Sequence, residues 1–389
     1  MTGPLTDCRV LDLTRLLPGA HLMSMLASMG ADVIKVEAVD GGDPMRQMSP
    51  RIGDHSAAEW MLTRGRQSVA LDLKTPEGQE ACRRVAAACD VVVEGFRPGV
   101  AERLGLAYTD LTRANPSLVF VRLTGYGATG EDSRKAGHDL NYVAATGMLH
   151  PGTATGAPTP LPVPVADLAG ATTAAVGLLA ALLQARQSGR GSCVEVAMRD
   201  VVLTWLSNEI GEYWATDRTR PVSDGPLGGT LPCYRVYPCS DGQRLAVAAL
   251  EPKFWQAFCA VAGRPDLVGR QNDTGAVDDV ARVLGARTRS EWLQAFSGVD
   301  ACVSPVLDVA EALDRETAAA HGMVRRDPAH PAPELAMPIR LDGEVRHVPG
   351  RPALLGEHTV SVLAQVVGYT EAQAADLVSR GIARASAAV

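Results

Sequence analysis

Residues 9–37 read RVLDLTRLLPGAHLMSMLASMGADVIKVE and contain the first folding unit that the chain's pattern reveals. Residues 9–13 alternate like a β-strand, residues 20–28 have helical spacing, and residues 31–37 are a second strand-like segment. Strand, helix and strand in this order predict a β-α-β unit. The pattern returns as a helix at 79–88 and strands at 90–94 and 117–123. The alternation predicts an α/β fold with a parallel sheet covered by helices.

The second half of the chain changes character. Residues 193–197 have the pattern of a strand and residues 201–214 that of a helix, after which the chain becomes a polar linker. Two strand-like segments at 234–238 and 244–250 flank Ser240-Asp241-Gly242 and predict a β-hairpin. Further helices are predicted at 254–263, 277–296 and 371–380.

These patterns divide the chain into parts. We expect a large domain at residues 1–200, a helix and linker at 201–224, a small α+β domain at 225–320, and a C-terminal segment at 321–389 that returns to the large domain. A chain of 389 residues has room for two such cores.

Composition and charge limit the possible partners. The chain has 37 Lys and Arg against 44 Asp and Glu, and it contains no basic run, so we expect no nucleic-acid partner. Eight cysteines are scattered through the chain with no secretory signal at its start, which favours reduced thiols and a cytoplasmic location. Neither the cysteines nor the eight histidines have the close spacing of zinc ligands, so we expect no metal. The most apolar stretch, residues 168–183, is shorter than the roughly 20 residues of a membrane span, and it predicts a buried helix and no membrane contact.

One glycine-rich motif matches a known fingerprint but is not followed by the apolar helix that the fingerprint requires. Residues 125–130, GYGATG, follow a strand and match the G-x-G-x-x-G pattern of dinucleotide-binding proteins. That fingerprint leads directly into an apolar helix, whereas here the charged residues 131–135 follow. We therefore interpret the glycines as a turn that places the next residues beside a ligand.

Three acid/base side chains stand in distinctive sequence contexts. They are His138 in GHDLNY, Asp167 in PVADLAG and Glu251 in LEPKFW. Taken singly, His138 is typical of a structural histidine, Asp167 of a helix N-cap and Glu251 of an exposed carboxylate at a strand end. Taken together, they suggest proton transfer at carbon, because inverting a C–H stereocentre requires one base and, on the opposite face, one acid.

These contexts resemble the α-methylacyl-CoA racemases within the class III CoA-transferase (CaiB/BaiF) superfamily. Five further stretches carry the resemblance, at residues 30–37, 68–74, 95–100, 103–106 and 300–306. The resemblance implies an isomerase of lipid metabolism that interconverts (R)- and (S)-2-methylacyl-CoA thioesters through an enolate. It also implies that His138 and Asp167 are the acid/base pair and that Glu251 assists His138. The backbone N–H of Asp139 is a candidate donor to the enolate oxygen.

The resemblance also implies the binding residues and the assembly. The residues expected along the nucleotide and pantetheine arm are Arg64, Gly65, Arg66, Leu71, Leu73, Lys74, Gly95, Phe96, Arg97 and Gly137. No cofactor is expected beyond the CoA moiety of the acyl-CoA substrate. The implied fold is the class III CoA-transferase fold, with a Rossmann-like large domain and a small middle domain in an interlocked homodimer. In that dimer Glu251 reaches the site of the other subunit.

Two alternative functions stay open. A CoA transferase would use Asp167 as a nucleophile that forms an acyl-aspartyl anhydride, and it would leave His138 and Glu251 without a role. Ala38 stands where close racemases have an arginine, and residues 42–60 look more like the transferases. A noncatalytic acyl-CoA-binding protein would leave all three acid/base residues unexplained.

Overall fold

The computed structural model describes residues 3–150, 160–319, 321–348 and 350–386. The strands are β1 Arg9–Leu13, β2 Asp32–Glu37, β3 Arg51–Ile52, β4 His55–Ser56, β5 Arg66–Leu71, β6 Val91–Glu94, β7 Val119–Thr124, β8 Cys193–Ala197, β9 Tyr234–Pro238, β10 Arg244–Ala248, β11 Val303–Pro305, β12 Val324–Arg325, β13 Glu334–Leu335, β14 Arg340–Leu341, β15 Glu344–Val345 and β16 Ala383–Arg384. The α-helices are α1 Leu16–Ser28, α2 Ala57–Leu62, α3 Pro76–Ala87, α4 Val100–Arg103, α5 Tyr108–Leu111, α6 Asp139–Ala144, α7 Val165–Ser188, α8 Met198–Trp205, α9 Ser207–Thr216, α10 Pro252–Val261, α11 Val277–Leu284, α12 Arg289–Ala295, α13 Val309–Ala319, α14 Thr359–Gln365 and α15 Glu371–Ser379.

Seven of these strands form one sheet in the order β16-β5-β2-β1-β6-β7-β8. All neighbours are parallel except β16, which pairs antiparallel with β5 and so brings the end of the chain onto the sheet edge. The predicted α/β class with a mostly parallel central sheet is confirmed. Its cause is visible in the sequence, because near-continuous apolar strands such as Val91-Val92-Val93 are buried on both faces.

Helices cover both faces of this sheet. Alternate strand residues such as Leu11, Ile34 and Phe120 pack against α3, α14 and α15. Their neighbours in the strands point to the opposite face, where α1 contacts β2 and α7 contacts β7 and β8. The helices α1 and α7 also pack on each other.

The described residues form two compact units. The first contains Met1–Val143, Leu161–Thr204 and Glu316–Val389, and the second contains Ala144–Pro160 and Trp205–Arg315. The sequence-based division placed residues 144–160 in the large domain, whereas the described part of this segment groups with the second unit.

The second unit has its own core. Strands β9, β10 and β11 form an antiparallel sheet, and the predicted hairpin is its β9–β10 pair. Trp255, Phe258 and Phe296 stack in the core beside it. The helix predicted at 277–296 is two helices, α11 and α12, because Thr288 starts a new helix with a capping box. The helix predicted at 201–214 is likewise divided, into α8 and α9.

Helix α7 is longer than the apolar stretch in the sequence suggests. It has 24 residues, and within the described ranges it is the one helix long and apolar enough to cross a membrane by length and composition. Half of its apolar window is buried inside the protein. Most of its buried residues are alanine or glycine, which allows close approach to neighbouring elements, so that Gly170 lies against Met198.

Candidate active site

A cleft of about 240 Å³ opens in the first unit at the carboxyl ends of the parallel strands. From the central strand β1 the chain proceeds to β2 and β5 on one side, and then to β6, β7 and β8 on the other. Ligands of open α/β sheets bind where the strand order reverses in this way. Residues 14–16, 95–98 and 123–126, which end or follow β1, β6 and β7, line the cleft.

His138 and Asp167 both line this cleft. His138 immediately precedes α6, and its side chain is exposed. Asp167 lies in the first turn of α7 and is half-buried. The two residues are 29 positions apart in sequence, and the packing of α6 and α7 brings their charges within electrostatic reach of each other.

The environment of Asp167 favours the neutral acid more than water does. Burial and the nearby Asp139 carboxylate raise the pKa of Asp167 to about 6, and His138 opposes that rise. Asp167 is not the N-cap that its sequence context suggests, because Pro164 occupies the N-cap position of α7 and makes no side-chain capping bond. A carboxyl group with a pKa near 6 can give or accept a proton close to neutral pH.

Asp139 has a contact that the sequence does not reveal. Its Oδ1 accepts hydrogen bonds from the backbone N–H groups of Ala166 at 2.6 Å and of Asp167 at 3.1 Å. The carboxylate of α6 thus caps the first turn of α7, a role that Pro164 leaves open. The backbone N–H of Asp139 itself lies at the first position of α6, where it has no partner within the helix.

Tyr142 is a cleft residue that sequence reasoning missed, although it stands one helical turn after His138. Its hydroxyl donates to the carbonyl oxygen of Gly137 at 2.6 Å, and its ring meets Tyr126 edge-on at 5.0 Å. A Cβ at Gly125 would lie 2.3 Å from the Tyr142 ring, so only glycine fits there. The glycine-rich turn therefore accommodates the Tyr142 ring. The helix that a dinucleotide fingerprint requires directly after its last glycine is missing, since the next helix after Gly130 is α6.

A second missed residue, Leu16, has an unusual backbone. Its φ is +60°, a left-handed conformation that is strained for a bulky side chain. The N–H of Leu16 donates to both carboxylate oxygens of Asp43, at 3.2 and 3.3 Å, and Asp43 pairs with the buried Lys35 at 3.3 Å. Strain of this kind persists where the surroundings hold it, and it is common at functional sites.

Four of the predicted CoA-binding residues line the cleft, namely Gly95, Phe96, Arg97 and Gly137.

The two predicted phosphate-binding arginines, Arg64 just before β5 and Arg66 at its start, have partners inside the protein. Arg64 is buried and pairs with the buried Glu334 at 3.1 Å. Arg66 is buried and donates to the carbonyl oxygens of Ala20 and Leu62. Neither guanidinium group lines the cleft, and their expected contact with the CoA phosphates stays a prediction.

The remaining predicted CoA contacts lie outside the cleft. Leu71 is a core residue under α3, α14 and α15, and Leu73 packs at the edge of the same core. Gly65 has a positive φ, and a Cβ there would lie 2.3 Å from Val348. Lys74 is exposed.

Glu251 belongs to the second unit. It occupies the N-cap position of α10, where its side chain is exposed and makes no capping hydrogen bond. Within the described ranges, no three or more His, Cys, Asp or Glu side chains are grouped so that they could hold a metal ion.

Comparisons with known proteins extend over most of the chain. The model of CoA-transferase family III matches residues 5–359. The chain is 34% identical to α-methylacyl-CoA racemase of Mus musculus over 93% of each chain. It is 35% identical to succinyl-CoA–D-citramalate CoA-transferase of Chloroflexus aurantiacus over 68% of this chain and 66% of that one. The crystal structure of a CaiB/BaiF family protein from Brucella suis is 26% identical and superposes with a TM-score of 0.82 over 94% of this chain and 100% of that one.

Proposed function

Because the chain belongs to CoA-transferase family III, we propose that it is an acyl-CoA racemase or epimerase that interconverts (R)- and (S)-2-methylacyl-CoA thioesters. The observation that carries the proposal is the pair His138 and Asp167 on one cleft. One group removes the α-proton of the thioester and leaves an enolate. The other returns a proton to the opposite face, and the two exchange roles in the reverse direction.

The surroundings of the pair support this chemistry. Asp167 has to act as a base in one direction and as an acid in the other, and its raised pKa of about 6 suits both tasks. The enolate oxygen needs preorganised donors, for which the backbone N–H of Asp139 is our candidate. The proposed proton transfers need no metal and no cofactor besides the CoA moiety of the substrate, and we place the reaction in the cytoplasm.

A CoA transferase is the second candidate. The Asp167 carboxylate faces the cleft, and one relative of comparable identity is named a transferase. In this reaction the carboxylate oxygen would attack the thioester carbonyl, the C–S bond would break, and the CoA thiolate would leave a mixed anhydride on Asp167. A free carboxylic acid would then be needed to take up the CoA.

Incubation in D₂O separates these two reactions. The purified protein is given one enantiomer of a 2-methylacyl-CoA, with and without a free carboxylic acid. We expect α-deuterium to appear and chirality to be lost at the same rate in both samples, because proton exchange needs no acceptor. α-Deuterium is followed by mass spectrometry, and the stereochemistry by chiral chromatography of the hydrolysed acid.

Transfer of CoA without proton exchange would favour the transferase. Movement of CoA to the added acid, without α-deuterium in the original acyl group, would overturn the racemase proposal and make Asp167 the nucleophile. Neither exchange nor transfer would leave both candidates without support for this substrate class.

We also propose that the protein acts as a homodimer. Helix α9 has no buried residue, yet it carries Tyr213 at 46% and Trp214 at 79% exposure. Exposed aromatic side chains grouped on one helix are typical of a protein interface. By the family resemblance, Glu251 of one subunit would complete the site that contains His138 and Asp167 of its partner.

Subunit mixing tests this shared site. His138→Ala and Glu251→Ala proteins are each prepared, mixed and allowed to exchange subunits. We expect activity to return to roughly a quarter of the parental value, because random pairing makes half of the dimers mixed and each mixed dimer has one intact site.

The matched control mixes His138→Ala with Asp167→Ala. Both residues belong to the first unit of the same chain, so no pairing of these subunits restores a site and no activity should return. Equal recovery in the two mixtures, or none in the first despite exchange confirmed by mass spectrometry, contradicts the shared site.

A further inference from the structure

The first turn of α7 depends on a side chain from another helix. The N-cap residue, Pro164, offers no side-chain acceptor, so the early N–H groups of α7 need an acceptor from elsewhere. Asp139 supplies it across 27 and 28 residues of sequence, to Ala166 and Asp167 respectively. A carboxylate that accepts two backbone hydrogen bonds at the positive end of a helix is well stabilised there.

This contact joins the two elements that carry the acid/base pair. Asp139 follows His138 directly in the chain and begins α6. On the other side of the contact, the N–H that it binds is that of Asp167 itself. The Tyr142 hydroxyl, one turn along α6, also holds the carbonyl of Gly137 just before His138. The turn that carries His138 is thus fixed to α6, and α6 is fixed to α7.

We propose that Asp139 is a positioning residue for the proton transfers, because its carboxylate sets the placement of Asp167 relative to His138. The inference rests on the proposed function for its catalytic meaning, whereas the capping contact itself stands on the geometry alone. A misplacement of about 1 Å between reacting groups can cost on the order of 100-fold in rate, so a link of this kind has a measurable effect.

The charge of Asp139 has a separate effect. The groups that face Asp167 are Asp139 and Tyr142 from α6 and His138 before it. Of these, the Asp139 carboxylate adds to burial in raising the pKa of Asp167, because two neighbouring anions repel each other. Asparagine at position 139 would keep an oxygen acceptor for the cap and remove the charge, whereas alanine would remove both.

Hydrogen–deuterium exchange of the α7 amides tests the capping contact without reference to activity. In Asp139→Ala we expect the amides of Ala166 and Asp167 to exchange about two- to thirtyfold faster than in the parent, the range that corresponds to a lost helix cap. Asp139→Asn should stay near the parental rate. Asp200→Asn, a change in the first turn of α8, is the control and should leave these amides unchanged.

The pH dependence of racemisation then tests the effect on Asp167. In the direction in which Asp167 is the base, the rate falls as the pH drops through its pKa. In the reverse direction, in which Asp167 is the acid, the rate falls as the pH rises through it. Asp139→Asn should move both of these falls in rate, the two limbs of the pH profile, to lower pH, because the pKa of Asp167 falls when the neighbouring charge is removed. Asp139→Ala should also lower kcat by on the order of 100-fold.

Each result decides one part of the inference. Parental amide exchange in Asp139→Ala overturns it whatever the activity. A kcat for Asp139→Ala within threefold of Asp139→Asn overturns the positioning role, and unmoved limbs in Asp139→Asn overturn the effect of the charge. If the parent protein shows no α-exchange at all, the proposed function fails instead, and the amide exchange still decides whether Asp139 holds the first turn of α7.

Discussion

Replacing Asp167 with asparagine should slow the interconversion of the two enantiomers by about 100- to 10,000-fold, the usual contribution of a positioned acid/base group. Asparagine has nearly the same shape as aspartate, but it neither accepts nor gives a proton at neutral pH. The side chain lies in the first turn of α7, whose cap is provided by Asp139 and not by Asp167 itself, so the fold should remain intact.

A two-base mechanism predicts which partial reaction this variant retains. His138 remains on one face of the substrate and can still remove an α-proton and return a deuteron to the same face. In D₂O, Asp167→Asn should therefore exchange the α-proton of one enantiomer without inverting it. His138→Ala should exchange only the other enantiomer. Mass spectrometry combined with chiral analysis of each enantiomer measures both reactions.

The control for this prediction is Asp200→Asn. Asp200 is also in the first turn of a helix, α8, but its side chain is 55% exposed and it pairs with its neighbour Arg199. This change should leave racemisation at the parental rate. Interconversion above a tenth of the parental rate in Asp167→Asn, or exchange of the same enantiomer in both single variants, would contradict the assignment of one base to each face.

A second large effect is expected on stability, from Arg46→Met. The Arg46 guanidinium binds the buried carboxylates of Glu37 and Glu59, each at 2.6 Å, and donates to the carbonyl oxygen of Ala353 at 2.9 Å. Removing one member of a buried ionic network leaves charges without compensation, at a cost of about 3–5 kcal/mol. We expect the free energy of unfolding by urea to fall by this amount at neutral pH.

The pH dependence of this loss provides an internal check. Burial alone would raise the pKa of Glu37, but hydrogen bonds and charge from Arg46, with help from Ser68, hold that pKa below its usual value. A carboxyl group of lowered pKa stabilises the fold above its unfolded-state pKa, and this contribution is lost as the pH falls through the folded-state value. The difference in stability between the parent and Arg46→Met should therefore be largest near neutral pH and shrink in acid.

The exposed Arg113 offers the matched control. Its side chain is 80% exposed and lies 3.7 Å from Asp110, an arrangement that contributes about 0–1 kcal/mol. Arg113→Met should therefore change stability little at any pH. A loss in Arg46→Met no greater than in Arg113→Met would show that the buried network does not stabilise the fold.

Local patterns in the sequence account for five of the seven strands of the large sheet and for the family. Strand β1 lies at the predicted residues 9–13 because its alternation is a property of five consecutive residues. The family resemblance, read from short motifs, is confirmed by the match over residues 5–359. Predictions of this kind succeed because a period or a motif is written within one segment of the chain. They fail at places such as residues 277–296, where the capping box of Thr288 divides one apparent helix into two.

The same motifs identified His138 and Asp167, and the fold brings both to the cleft. The sequence did not reveal that Asp139 caps α7, because that contact joins residues 27 and 28 positions apart. Nor did it show that Arg64 forms an ion pair with the buried Glu334, which is 270 positions away in the sequence.

The sequence by itself therefore determined where strands β1, β2, β6, β7 and β8 lie, which family the chain belongs to, and which residue types stand in its motifs. Only the tertiary structure decided which charged side chains are bound inside the protein and which face the cleft. The physical reason is that burial and ion pairing depend on what packs against a group in space. For Asp167, burial in the folded protein and the nearby Asp139 carboxylate of α6 raise the pKa of the side chain to about 6.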